Sequence, residues 1–290
     1  MPDCETLTEL KVNGKRVVSV AAAGCRRLTK LDCTDTSIRH LPDFALSEVS
    51  SLSEVLLPTT LRSVGSYAFR RCSNLDLPMP PGLKRIGKLA FDGTSLREVV
   101  LPRTLTKLGS GAFTNCGELV SIDMSATSLY KLEDAICCTA RRLATVKLPA
   151  TLRVIHAYAF CRCTSLMHFP WVEIPGLVRL GEFAFESSRL SSVELPAALK
   201  WIGARAFANC NWLKRADLGK CRGLRLTRLV KSSDISQGPF ADCARLSEVV
   251  LPPGLGTTVH LRALGLSGFH FVRSGEAGDV FRAPSHAQPA

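Results

Sequence analysis

The chain has 290 residues, 46% of them hydrophobic, with a formal net charge of +12 and 12 cysteines. That is ample apolar material for a core. It is too little cysteine for a disulfide framework, and no apolar run approaches the roughly 18 residues of a membrane helix. The basic balance admits an acidic partner, an anionic membrane surface or nucleic acid, and says nothing about fold.

Residues 1–16 are polar and lack the apolar stretch of a signal peptide. They predict a cap or lead-in, and a cytoplasmic or otherwise intracellular setting; a start upstream of Met1 would move the chain to the cell surface. Residues 17–265 then repeat one pattern: Leu-x-x-Val-x-Leu-Pro, a gap, Leu-x-x-Ile-Gly, a gap, Ala-Phe, a Cys or Thr, and Leu again. Phe69, Phe91 and Phe113 stand 22 residues apart, and a period of this size marks a repeat architecture. Aligning on the Phe slot yields Ala22, Leu46, Phe69, Phe91, Phe113, Ile136, Phe160, Phe185, Phe207 and Phe240, about ten repeats.

Each repeat has three parts. The first is a strand, as in Leu52–Leu57 or Leu96–Leu101, with alternate Val and Leu inward and proline ending it. The second is Leu-x-x-Ile-Gly, where the glycine predicts a tight turn with positive φ. The third, around Ala-Phe, is too short for a long helix and predicts a single helical or 3-10 turn. The expected fold is therefore a repeat solenoid, with parallel strands on one face and short helical or 3-10 turns and loops on the other. The step from Phe207 to Phe240 is longer and holds a basic loop with Lys220, Arg222, Arg225, Arg228 and Lys231. After residue 265 the repeat is lost, and 266–290 predict an end segment and a disordered tail.

Six cysteines, Cys25, Cys72, Cys116, Cys163, Cys210 and Cys243, fall three residues after the slot, mainly in alternate repeats. Two rungs of a solenoid span roughly 9–10 Å, too far for a disulfide, so they read as buried free thiols and favour a reducing compartment. The pairs Cys161/Cys163 and Cys137/Cys138 lack the companion ligands of a zinc site. No metal or cofactor is expected, and no nucleophile-and-base pairing points to an enzyme.

Outward strand positions hold Asp32, Glu54, Glu98, Asp123, Glu194, Asp217 and Glu248, with Lys147, Leu56, Val100 and Val250 beside them. Such positions of a repeat array form a continuous binding surface. The leading expectation is a non-catalytic scaffold that binds a protein partner on this mainly acidic strand face. The alternative is an anionic-surface binder, for membrane or nucleic acid, acting through the 220–231 loop and a basic column. That column is Arg62, Lys84, Arg85, Lys107, Lys131, Arg153, Arg179 and Lys200, continued by Arg222, Arg225 and Arg228. Nucleic acid is the weaker arm, because no aromatic-plus-basic recognition motif appears.

The full pattern resembles the BspA-like (Treponema pallidum type) class of leucine-rich repeats. Arg62–Leu75 and Lys200–Leu213 carry the motif almost word for word, and the likeness covers about residues 17–265. The resemblance implies a curved leucine-rich-repeat horseshoe serving as a binding scaffold, as in bacterial surface proteins and in many protozoan copies. It supplies no catalytic residues.

Overall fold

A computed structural model describes residues 6–14, 16, 20–225, 237–275 and 278–284. Arg228 and Lys231 of the basic loop, and the tail 285–290, lie outside the described residues. The chain forms a parallel β-solenoid in two compact units, Met1–Leu129 with Ala135–Pro149, and Tyr130–Asp134 with Ala150–Ala290.

In the first unit, the Leu-x-x-Val-x-Leu segments form three-residue strands that pair in parallel with the repeats on either side. β1 (Glu9–Lys11), β2 (Lys30–Asp32) and β4 (Glu54–Leu56) make one ladder; β7 (Glu98–Val100), β9 (Ser121–Asp123) and β11 (Thr145–Lys147) make another. β1 carries the ladder back into the polar lead-in. Between β4 and β7 the strand is missing at Asp76–Pro78, where Pro78, Pro80 and Pro81 follow in quick succession. There the Asp76 carboxylate accepts the Arg97 N–H in place of a backbone carbonyl.

The Leu-x-x-Ile-Gly segments differ from expectation. They are strands, and they build a second parallel ladder: β3 (His40–Leu41), β5 (Ser63–Val64), β6 (Arg85–Ile86) and β8 (Lys107–Leu108). The glycine that follows has no positive φ at Gly87 or Gly109. Its lack of a side chain serves close approach instead. A Cβ on Gly87 would stand 2.4 Å from Ser66 N and 2.5 Å from Gly65 C, and one on Gly109 2.5 Å from Gly87 C.

Around Ala-Phe there is no helical turn but a succession of tight turns, with left-handed residues on both sides of the slot, for example Tyr67 and Arg71 at φ 59°. Left-handed backbone at an aromatic is an outlier; here the stacking holds it. Tyr67, Phe69 and Arg71 donate their N–H groups to Lys88, Ala90 and Asp92 in the next rung, and Leu89, Phe91 and Gly93 do the same one rung on. Rungs are thus hydrogen-bonded through both strand ladders and through this turn, and those of Phe69, Phe91 and Phe113 are each filled by one ring and a set of leucines. Phe69, Phe91 and Phe113 stack at 5.3 and 5.5 Å.

The same bonds correct one slot. Phe113 N donates to Ile136 O, as Phe91 N does to Ala112 O, and Asn115 N donates to Cys138 O. Cys137, not Ile136, therefore occupies the slot, and Ala140 rather than Thr139 sits three residues on; all but Thr139 are buried.

The second unit repeats this plan. β10 (Lys131–Leu132), β12 (Val154–Ile155), β13 (Arg179–Leu180) and β15 (Trp201–Ile202) form the two-residue ladder; β14 (Ser192–Glu194), β16 (Arg215–Asp217) and β17 (Glu248–Leu251) form the longer one. Phe160, Phe185, Phe207 and Phe240 stack through its core at 5.2–5.5 Å. A 3-10 turn, Trp171–Glu173, packs against them. After a short helix, α1 (Thr258–Ala263), capped by Thr257, the chain forms a hairpin of β18 (His270–Gly275) and β19 (Gly278–Arg282), and β19 pairs antiparallel with β17.

Among the described residues ten cysteines are free thiols, eight of them buried. In the expected column, Cys72, Cys116, Cys210 and Cys243 donate Sγ–H to carbonyls of the preceding rung, Leu46, Phe91, Phe185 and Phe207. Cys25 departs from expectation: it is disulfide-bonded. The cysteine column therefore does not by itself assign a reducing compartment.

Candidate binding surface

The strand face does not present one acidic column. Glu54, Glu98 and Glu248 occupy the first strand position, and Asp32, Asp123, Glu194 and Asp217 the third. In the first position Glu54 pairs with Lys30 and lies two rungs from Glu9; Glu98 aligns with Ser121 and Thr145. Three of the aspartates serve the turn that follows their strand. Asp32 accepts from Thr34 N and Oγ1 at 3.0 and 2.7 Å, Asp123 from Ser125 N and Oγ at 2.9 and 2.6 Å, and Asp217 from Gly219 N at 2.9 Å. These are Asx-type turns. The two bonds from Thr34 hold the Asp32 carboxyl below its ordinary range. Partial burial pushes Asp123 up, but its bonds from Ser125 and Lys147 outweigh it and leave the carboxyl lowered.

Cations from neighbouring rungs cover most of the same carboxylates. Lys30 sits 2.9 Å from Glu54, Lys11 3.7 Å from Asp32, Lys147 3.2 Å from Asp123 and Lys220 2.7 Å from Glu194. Arg215 bridges Asp217 and Glu248, and Arg282 of the hairpin reaches Glu248 at 3.3 Å. Glu54 and Glu194 hold their lysines charged to a higher pH than usual, first through the hydrogen bond itself. Among these seven, Glu98 alone has no ion pair in the described structure. Val100 beside it is 65% exposed.

The two-residue ladder of the first unit is a different surface. In register it stacks His40, Ser63, Arg85 and Lys107, with Arg39, Arg62, Lys84 and Thr106 in the column before. All of these except Ser63 are exposed. Arg62 donates to the Thr59 and Leu61 carbonyls at 2.8 and 3.1 Å, so it also fastens its own turn. None of Arg39, Arg62, Lys84, Arg85 and Lys107 has a carboxylate within ion-pair distance among the described residues. Part of the excess positive charge of the sequence thus lies here, uncompensated.

The other described members of the expected basic column lie in the second unit and are mostly engaged. Lys131 pairs with Glu133 at 2.8 Å, and Arg153 donates to the Ala150 and Leu152 carbonyls at 3.0 Å. Arg179 and Arg225 both lie over the ring of Trp201, each at 5.7 Å from its centre. Lys200 and Arg222 are exposed. Trp201, which the sequence motif did not single out, stands half-buried in the ladder among these arginines.

No group of three or more His, Cys, Asp or Glu among the described residues could hold a metal ion. No helix among them is long and apolar enough to cross a membrane.

The model for the BspA type leucine rich repeat region matches this chain in six copies, over residues 3–78, 76–170 and 131–259. Among solved structures, a leucine-rich repeat protein from Bacteroides ovatus is similar over 84% of this chain and 63% of its own, with 24% identity and a TM-score of 0.70. The T. pallidum leucine-rich repeat protein is 29% identical, covers 61% of this chain and 86% of its own, and has a TM-score of 0.55. The chain thus spans less than two thirds of the Bacteroides ovatus protein. A comparison with curated proteins returned no significant match.

Proposed function

Because the chain belongs to the BspA-type leucine-rich-repeat family, we propose that it is a non-catalytic protein-interaction scaffold whose docking surface is the β3–β5–β6–β8 ladder, taken by an acidic protein partner. One observation carries this reading: Arg39, Arg62, Lys84, Arg85 and Lys107 are exposed on adjacent rungs without a counter-charge, whereas most carboxylates of the strand face are already paired. Rungs stand roughly 4.8 Å apart, well inside the roughly 8 Å screening length of physiological salt. These cations therefore repel one another in the free protein, and an acidic surface laid across them removes that repulsion. Such complementarity sets encounter rate and partner choice more than raw affinity.

The test is quantitative capture of partners with three proteins: wild type, a ladder variant (Arg39→Glu, Lys84→Glu, Arg85→Glu, Lys107→Glu), and a strand-face variant (Glu54→Lys, Glu98→Lys). Arg62 is left in place because it fastens a turn. A partner lost by the ladder variant and kept by the strand-face variant is the expected result. The opposite pattern returns the site to the strand face. Parallel assays on acidic liposomes and RNA at low and high salt distinguish the anionic-surface alternative, which would show the same four-residue dependence without any protein bound.

A further inference from the structure

In the second unit, three successive rungs place Arg189, Trp212 and Arg245 in one column, each directly before a buried leucine, Leu190, Leu213 and Leu246. The rungs are joined just beyond that column, where Lys214 N donates to Ser191 O and Ser247 N to Lys214 O, both at 3.0 Å. Stacking of the backbone therefore forces the three side chains into a pile. The Arg189 guanidinium lies 4.9 Å from the Trp212 ring centre and that of Arg245 4.2 Å. Trp212 is 45% exposed, and both arginines are exposed. Among the described residues neither arginine has an ion pair, and Lys214, the neighbour of Trp212, is likewise exposed and unpaired.

We propose that this Arg–Trp–Arg pile is a second docking site, for an acidic protein segment that presents two carboxylates to the two guanidinium edges. The indole orients both guanidiniums by cation–π contact, so little rotamer freedom remains to be lost when their forks meet carboxylates. Two rungs separate the forks by roughly 9–10 Å. Carboxylates at positions i and i+7 of a helix, about 10.5 Å apart, match that span. Single-stranded nucleic acid fits less well, since base recognition of this kind needs an open aromatic face, and arginines cover both faces of Trp212. The site is separate from the ladder proposed above and stands without it, because its residues belong to a different unit.

The probe is a fluorescein-labelled, alanine-based helical peptide with glutamates at i and i+7, read by fluorescence anisotropy against the full chain at low salt. A second peptide of the same composition carries its glutamates at i and i+2. Binding of the first peptide should weaken about tenfold in Arg189→Lys/Arg245→Lys, which preserves charge but removes the planar forks. Trp212→Ala should weaken it similarly, with circular dichroism confirming the fold, while charge reversal at Arg85 and Lys107 should leave it unchanged. Equal binding of the two peptides, or full binding by the double lysine variant, would reduce the site to general attraction and overturn the proposal. Tighter binding of an oligo-dT or a heparin fragment of equal charge would overturn the assignment to a protein partner.

Discussion

Replacing Gly87 by alanine tests why the repeats carry glycine after each two-residue strand. The added Cβ would meet Ser66 N at 2.4 Å, Gly65 C at 2.5 Å and Gly65 O at 2.8 Å, all backbone atoms of the previous rung. Backbone cannot swing aside as a side chain would, so the corner must open by close to 1 Å. That opening stretches the bonds Gly87 N to Val64 O (2.8 Å) and Gly109 N to Ile86 O (2.9 Å). Overpacking costs about 1–3 kcal/mol, and two weakened hydrogen bonds add about 1 kcal/mol. The entropy gain in the unfolded chain returns only about 0.4–1 kcal/mol. The net expectation is a loss of about 2 kcal/mol, visible as a lowered midpoint in urea unfolding followed by circular dichroism. Gly117→Ala is the control: nothing lies within 4 Å of its Cβ, and its φ is not positive. It should match or slightly exceed wild type. Gly87→Asn separates the two accounts of the glycine, since asparagine tolerates left-handed backbone but brings the same Cβ. Gly87→Ala within about 0.5 kcal/mol of wild type, or rescue by asparagine, would refute the close-approach reasoning.

Two further outcomes follow from ionisation. Burial pushes the thiols of Cys33, Cys116 and Cys210 up to about 11 and those of Cys72 and Cys221 to about 12. These thiols stay protonated when folded but ionise when unfolded, so stability is full below the ordinary thiol range and falls as pH rises through 9 toward 11–12. Urea midpoints measured across that window should drop, and Cys116→Ala/Cys210→Ala should flatten the drop. On the acid side, the lowered Asp123 carboxyl contributes stability above its unfolded pKa that is lost as pH falls. Asp123→Asn should therefore unfold with a shallower acid dependence than wild type, at a cost near neutrality of about 1 kcal/mol.

The repeat was legible because its interior columns tolerate little variation. Phe69, Phe91 and Phe113 must each fill the same space, so spacing alone revealed rung and core. Where the local sequence offers two apolar neighbours, as at Ile136 and Cys137, only the hydrogen bonds from Phe113 and Asn115 decide the alignment. The glycine column was visible, but its physical reason was not: contact between successive glycines such as Gly65, Gly87 and Gly109 exists only once rungs are stacked. Charge was harder still. Columns can be read along the chain, yet whether Asp123 faces outward or holds Ser125 depends on one local turn, and whether it meets Lys147 depends on the rung beside it. The hairpin β18–β19 carries no repeat and pairs antiparallel, so no periodicity announced it. Trp212 and its arginines lie in a column outside both strand segments and were missed for that reason alone.

The thiol column constrains how such an array can change length. Within the first unit Cys72 and Cys116 flank Thr94, and within the second Cys163 and Cys210 flank Ser188, so each pair of thiols stands two rungs apart, beyond the roughly 7 Å reach of a disulfide. Gain or loss of rungs in pairs preserves that separation. Removal of a single rung would set two cysteines on adjacent layers, roughly 4.8 Å apart, inside the range at which an oxidant can staple them. Cys210 and Cys243 already occupy neighbouring rungs, both as free thiols. The alternation therefore insulates the inner members of the column against covalent cross-linking, whereas the disulfide-bonded Cys25 and the Cys210/Cys243 pair fall outside that insulation.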